Sequence, residues 1–110
     1  MKRITYYQAR TRRNGERFPK NVFFQESKGT YVEITDIKGK KVELAVEYDR
    51  SEKKYFATEL STGIGTRPLG EKRKEDLLKT LSELDWERML NIPHHLTVKQ
   101  MLNEFKESLK

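Results

Sequence analysis

The sequence contains no cysteine. Disulfides, thiolate metal sites and cysteine nucleophiles are therefore excluded, and a small domain without such staples fits a reducing compartment. Histidine is scarce, limited to His94 and His95. Adjacent residues rarely face one metal ion and no third ligand stands at a suitable spacing, so no metal site is expected; following Pro93, the pair reads as linker. No apolar run approaches the ~18 residues a membrane span needs, and the first seven residues carry no apolar signal core. The expectation is a soluble, cytoplasmic protein with no membrane partner.

Catalytic signatures are missing as well. There is no Gly-x-Ser-x-Gly elbow and no His-Glu-x-x-His helix. Glu43, Glu47 and Glu59 are expected to share the outer face of a sheet, where a solvated, lysine-balanced surface is the plainer reading than general acid or base chemistry. Gly65 and Gly70 have the spacing of a phosphate-binding loop, but Glu71-Lys72 follows where that loop needs Lys and then Ser or Thr. Neither an enzyme nor a cofactor is expected.

What the chain does have is charge, unevenly placed. Its 110 residues carry a formal net charge of +6. Residues 1–20 hold seven basic groups, Lys2, Arg3, Arg10, Arg12, Arg13, Arg17 and Lys20, against Glu16 alone, whereas the other ninety residues hold 16 basic and 16 acidic groups. The whole excess therefore sits in one N-terminal segment on a neutral body. Five of those seven are arginine, while lysine dominates elsewhere. Arginine's planar fork matches phosphate oxygens and also stacks on rings. The length suits one domain, residues 1–110, with 1–20 as its basic segment.

Periodicity gives the architecture. Residues 3–9 form a short strand candidate, with Ile4 and Tyr6 on one side and Thr5 and Tyr7 on the other. Asn14-Gly15 marks a turn, because both residues tolerate positive φ. Residues 22–25 form a second short strand that ends before Lys28-Gly29. Residues 30–36, 41–48 and 54–60 then alternate between apolar and polar with short polar turns, the pattern of an antiparallel meander with one wet face. Val42, Leu44, Val46, Tyr48, Phe56 and Leu60 are expected inward, and Ala45, Tyr55 and Glu59 outward. Residues 61–70, rich in glycine, form a loop.

From Glu71 the period changes to that of a helix, with Leu77, Leu78, Leu81 and Leu84 on one face. Asp85 is placed to cap a short helix over residues 86–90, with Trp86 as core, and Pro93 ends it. Thr97 and Gln100 have capping-box spacing ahead of a last helix bearing Val98, Met101, Leu102, Phe105 and Leu109 on one stripe. The expected fold is α+β: an antiparallel sheet, made of the three-strand meander 30–60 plus one or two N-terminal strands, with two C-terminal helices packed on one face.

A basic arm on a balanced body is a familiar layout for binding a phosphate backbone. The candidate contacts are Arg3, Arg10, Arg12, Arg13, Arg17 and Lys20, with Tyr7, or else Tyr6 or Phe18, stacking on a base or ribose and Lys72, Arg73 and Lys74 as a second patch in the first turn of the helix. The plainer reading of the arm is a solvated edge hairpin whose charges block sheet-to-sheet aggregation. Two partners follow: nucleic acid, DNA or RNA, or alternatively an acidic protein towards which the same arm steers association. The chain itself is expected to be a monomer or a homodimer.

Overall fold

The computed structural model describes residues 2–66 and 70–110. Four strands come first, β1 (Arg3–Thr11), β2 (Val22–Thr35), β3 (Lys41–Asp49) and β4 (Lys54–Glu59), followed by helices α1 (Lys74–Ser82), α2 (Trp86–Leu90) and α3 (Pro93–Ser108). The strands pair in sequence order, all antiparallel. This is the expected α+β arrangement, with the helices at the C-terminus.

One face of the sheet carries the apolar core. Ile34, Val42, Leu44, Val46 and Ala57 pack against Leu77 and Leu81 of α1 and Trp86 of α2. Leu44, Leu77 and Leu81 are fully buried, and each such side chain stabilises the fold by about 1.5–3 kcal/mol relative to exposure. Trp86 donates from Nε1 to the Leu81 carbonyl (2.8 Å), so its one polar atom is satisfied within the core. On the same face α3 covers the N-terminal hairpin: Phe105 meets Tyr7 edge-on at 5.2 Å and Phe24 at 5.4 Å.

The turn between β2 and β3 is tied to α2 through one carboxylate. Asp36 accepts from the backbone N–H groups of Lys38, Lys40 and Trp86, each at 2.9 Å. Burial alone would raise its pKa, but those amides outweigh it and hold the carboxyl below its ordinary value. Asp85 caps α2, accepting from Arg88 N (3.2 Å), and forms an ion pair with Lys38 at 2.9 Å.

The opposite face is curled. Tyr6 on β1 reaches across Gly29 of β2 to donate its hydroxyl to Glu47 of β3, and it also engages Thr58 of β4. A side chain spans three neighbouring strands only when the sheet closes toward it. Gly29 makes room for this: a Cβ there would lie 3.2 Å from both the Tyr6 ring and the Glu47 side chain. The two sheet edges are then joined through the loop after β4. Gly65 bridges to Thr58, Thr66 N donates to Ala57 O (2.8 Å), and Ala9 N on β1 donates to Gly63 O (2.7 Å). Gly63 has φ +75°, and a Cβ would fall 2.7 Å from Tyr7 O, so only glycine fits this approach. Glu59 shapes the same loop, accepting from the backbone and hydroxyl groups of Ser61 and Thr62 at 2.8–3.0 Å.

Several expectations are corrected here. Lys28-Gly29 does not end a strand, because β2 runs unbroken through it and the missing Cβ seats Tyr6. In β4, Tyr55 and Ala57 face the helix-side core instead of Phe56 and Leu60, since Val46 pairs with Ala57 and shares its face. Ala45 is buried and Tyr48 exposed, because the curl encloses the first and the sheet's end leaves the second uncovered. Glu59 pairs with Leu44 and is buried, so it does not share a face with Glu43 and Glu47. The loop 61–70 is partly bonded to both sheet edges; Arg67-Pro68-Leu69 lie outside the described residues. Pro93 starts a helix: it is the first residue of α3, which takes His94 and His95 into its first turn and places Thr97 beyond the cap.

Candidate functional site

β1 and β2 form a hairpin whose far end carries most of the unbalanced charge. Its connection is stitched by three backbone bonds, Arg12 N to Asn21 O (2.8 Å), Lys20 N to Arg17 O (2.9 Å) and Val22 N to Pro19 O (3.1 Å). Asn14 accepts from Glu16 N at 3.1 Å and Gly15 has φ +85°, so the Asn-Gly turn forms. The Phe18–Pro19 peptide is cis, and the Phe18 ring stacks on His94 of α3 at 4.1 Å, laying the connection against the helix.

Every residue from 10 to 20 is exposed. Arg10 donates to Gln8 Oε1 (2.8 Å), and the Arg12 guanidinium lies over the Phe23 ring at 4.7 Å. Neither contact neutralises charge. Among the described residues, none of the seven basic groups of residues 1–20 forms an ion pair with a carboxylate. The positive field of this end is therefore free.

The candidate residues do not form one patch. Arg10, Arg12, Arg13, Arg17 and Lys20 gather at the hairpin's far end. Arg3 lies seven residues back along β1, about 23 Å away at ~3.3 Å per residue, where its neighbour Lys2 sits over Tyr31. Tyr7 faces Phe105, on the helix side, and not the open side. Lys72 and Arg73 precede α1, with Arg73 at its N-cap, so only Lys74 stands in the first turn. Glu71 pairs with Tyr55 on β4, which sets this group at the opposite edge strand from the hairpin.

A cleft of about 680 Å³ opens beside the hairpin's far end, and composition gave no sign of it. Its lining includes Arg10 of β1, Glu47, Tyr48 and Asp49 of β3, and Arg50 just beyond β3. Part of its lining is a relay of side chains: Arg10 donates to Gln8, Gln8 Nε2 donates to Tyr6 Oη (3.0 Å), and Tyr6 donates to Glu47 Oε1. Burial first, and then the Glu47 carboxylate, push the Tyr6 hydroxyl far above its ordinary pKa, so it remains a proton donor. Tyr48 is half exposed and meets Tyr55 edge-on at 4.9 Å. The signal for this site lies in the alternation of Tyr6, Gln8 and Arg10, which sets three polar side chains on one face of a strand.

Among the described residues, no group of three His, Asp or Glu side chains could hold a metal ion, and no helix is long and apolar enough to cross a membrane. Comparison with known proteins found no matching family model, no matching curated protein and no matching solved structure.

Proposed function

We propose that this chain is a small nucleic-acid-binding accessory protein that grips the phosphate backbone with the far end of its β1–β2 hairpin. The supporting observation is the unneutralised cluster of Arg10, Arg12, Arg13, Arg17 and Lys20 on a fully exposed segment. Each guanidinium that displaces condensed counterions from a phosphate contributes to affinity, and makes that affinity fall with salt. Arg3 sits too far along β1 to share a short footprint, and Lys72 with Arg73 offers a separate, weaker contact.

The test replaces Arg10, Arg12, Arg13 and Arg17 together with serine and titrates binding to duplex DNA, single-stranded DNA and RNA against salt. The wild-type protein binds at low salt, and the variant loses most of that affinity. Its log–log salt slope falls by roughly three, at about 0.7–0.9 per phosphate contact, while its melting temperature stays put. If the wild type binds none of the three at low salt, the proposal fails.

A further inference from the structure

We propose that Asn14 is a site of spontaneous deamidation, and that the carboxylate left at the hairpin's far end weakens its grip on phosphate. The chemistry stands on the local structure alone; its consequence for binding rests on the nucleic-acid reading above. The reaction needs a backbone N–H that can reach the asparagine side chain. Of the four asparagines, only Asn14 is followed by glycine. Asn21 precedes Val22, Asn91 precedes the β-branched Ile92, and Asn103 lies inside α3. Gly15 has φ +85°, and nothing lies within 4 Å of where a Cβ would stand, so the main chain has room to turn. Its N–H makes no hydrogen bond among the described residues, and the segment around it is fully exposed. The nitrogen is therefore free to react.

The neighbours of the pair favour each stage. Gly15 N gives up its proton and attacks Asn14 Cγ, closing a five-membered ring. The anionic nitrogen forms beside Arg12, Arg13 and Arg17, none of which is ion-paired among the described residues, and a positive field favours an anion. Charge then builds on Asn14 Oδ1, which already accepts from Glu16 N at 3.1 Å, a donor aimed where the oxyanion develops. The Cγ–Nδ2 bond breaks. The proton from Gly15 returns through water to Nδ2, which leaves as ammonia; Glu16 Oε1 holds that amide group at 2.8 Å beforehand. Water opens the resulting cyclic imide at either carbonyl, giving aspartate or isoaspartate. Both products add a second acid to residues 1–20, whose only one is Glu16. The new carboxylate stands next to Arg13 in the chain and competes with phosphate for the guanidinium groups around it.

The purified protein is aged in mildly acidic and mildly alkaline buffer and followed by isoelectric focusing and by peptide mapping with mass spectrometry. Residue 14 should convert to aspartate and isoaspartate, faster in the alkaline sample, while Asn21, Asn91 and Asn103 keep their amides. Asn14→Gln should keep its amide under the same conditions, because the larger ring closes far more slowly. Asn14→Asp carries the product's charge without ageing. It should bind duplex and single-stranded DNA about fivefold more weakly than fresh wild type at one low salt concentration, and aged wild type should lose affinity in step with its conversion. An Asn14 amide that survives ageing, or converts no faster than that of Asn21, overturns the site. Unchanged affinity in both aged wild type and Asn14→Asp overturns the consequence for binding. Fresh wild type that binds neither DNA nor RNA instead overturns the nucleic-acid reading itself.

Discussion

The β3–β4 pair and the far end of the β1–β2 hairpin belong to one sheet, yet their side chains live in opposite surroundings. In β3 the consecutive residues Leu44, Ala45 and Val46 are all buried, and in β4 so are Ala57, Thr58 and Glu59. Both faces of that half are covered, one by α1 and α2 and the other by the curl that brings Tyr6 across. At the hairpin's far end, residues 10–20 are all exposed and the charge is unbalanced. Stability is thus concentrated in the half with little free charge, and free charge in the half with little burial. Substitutions should separate the two properties cleanly.

The comparison is tested most severely in the core. Leu81→Ala removes a fully buried side chain packed against Trp86 and the sheet, and should cost about 2–5 kcal/mol in chemical denaturation. A loss below ~1 kcal/mol would mean that the helix contributes little to holding the sheet. Gly63→Ala comes next. It forces a Cβ to 2.7 Å from Tyr7 O at a left-handed φ, for an expected loss of about 2–3 kcal/mol. Amide exchange should then rise first at Ala9, whose N–H bonds to Gly63.

Tyr6→Phe leaves Glu47 and Gln8 without their shared hydroxyl. The expected destabilisation is about 1–2 kcal/mol, and in a cycle with Glu47→Gln the two losses should be non-additive. Acid gives a further contrast. Asp36 and Asp85 both have folded pKa values depressed below the ordinary 3.8, so their stabilisation is complete above that value and is lost as pH falls through the depressed folded values. An acid titration of stability should therefore be flat from neutral pH to about 5 and decline below about 4; Asp36→Asn should flatten that decline. At the bottom of the scale, the four-arginine variant should stay within ~0.5 kcal/mol of wild type, as exposed substitutions usually do.

Much of the architecture was legible because alternation and helical periodicity survive in β3, α1 and α2. The face of β4 was not, and the reason is physical. Tyr55, Phe56, Ala57 and Leu60 place apolar atoms on both sides, and a strand covered on both faces gives period two nothing to choose between. Pro93 is equally suited to end one helix and to begin the next, since the first turn does not need its missing N–H. Gly29 reads as punctuation in isolation, but its role is to vacate space for a ring from the neighbouring strand, a relation no local window contains. At the candidate site, charge density singled out Arg10 to Lys20, which the hairpin carries at its far end. It grouped Arg3 with them by nearness in sequence alone, although the strand expected over residues 3–9 already sets Arg3 well away from them. It took Tyr7 as the residue to carry forward, whereas Tyr7 faces Phe105 and Tyr6 lines the cleft, because the curl and the cleft are products of long-range pairing.

The clasp between Ala9 and Gly63 bears on how the charged end would meet the ligand proposed for it. It fixes β1 one residue before Arg10, so the stem below the arginines is held on one edge by β2 and on the other by the loop after β4. A stem braced on both sides surrenders almost no backbone freedom on association. On the proposed phosphate-binding reading, what remains to be immobilised is a handful of arginine side chains, free to exchange one phosphate for the next without any rearrangement of the sheet beneath them.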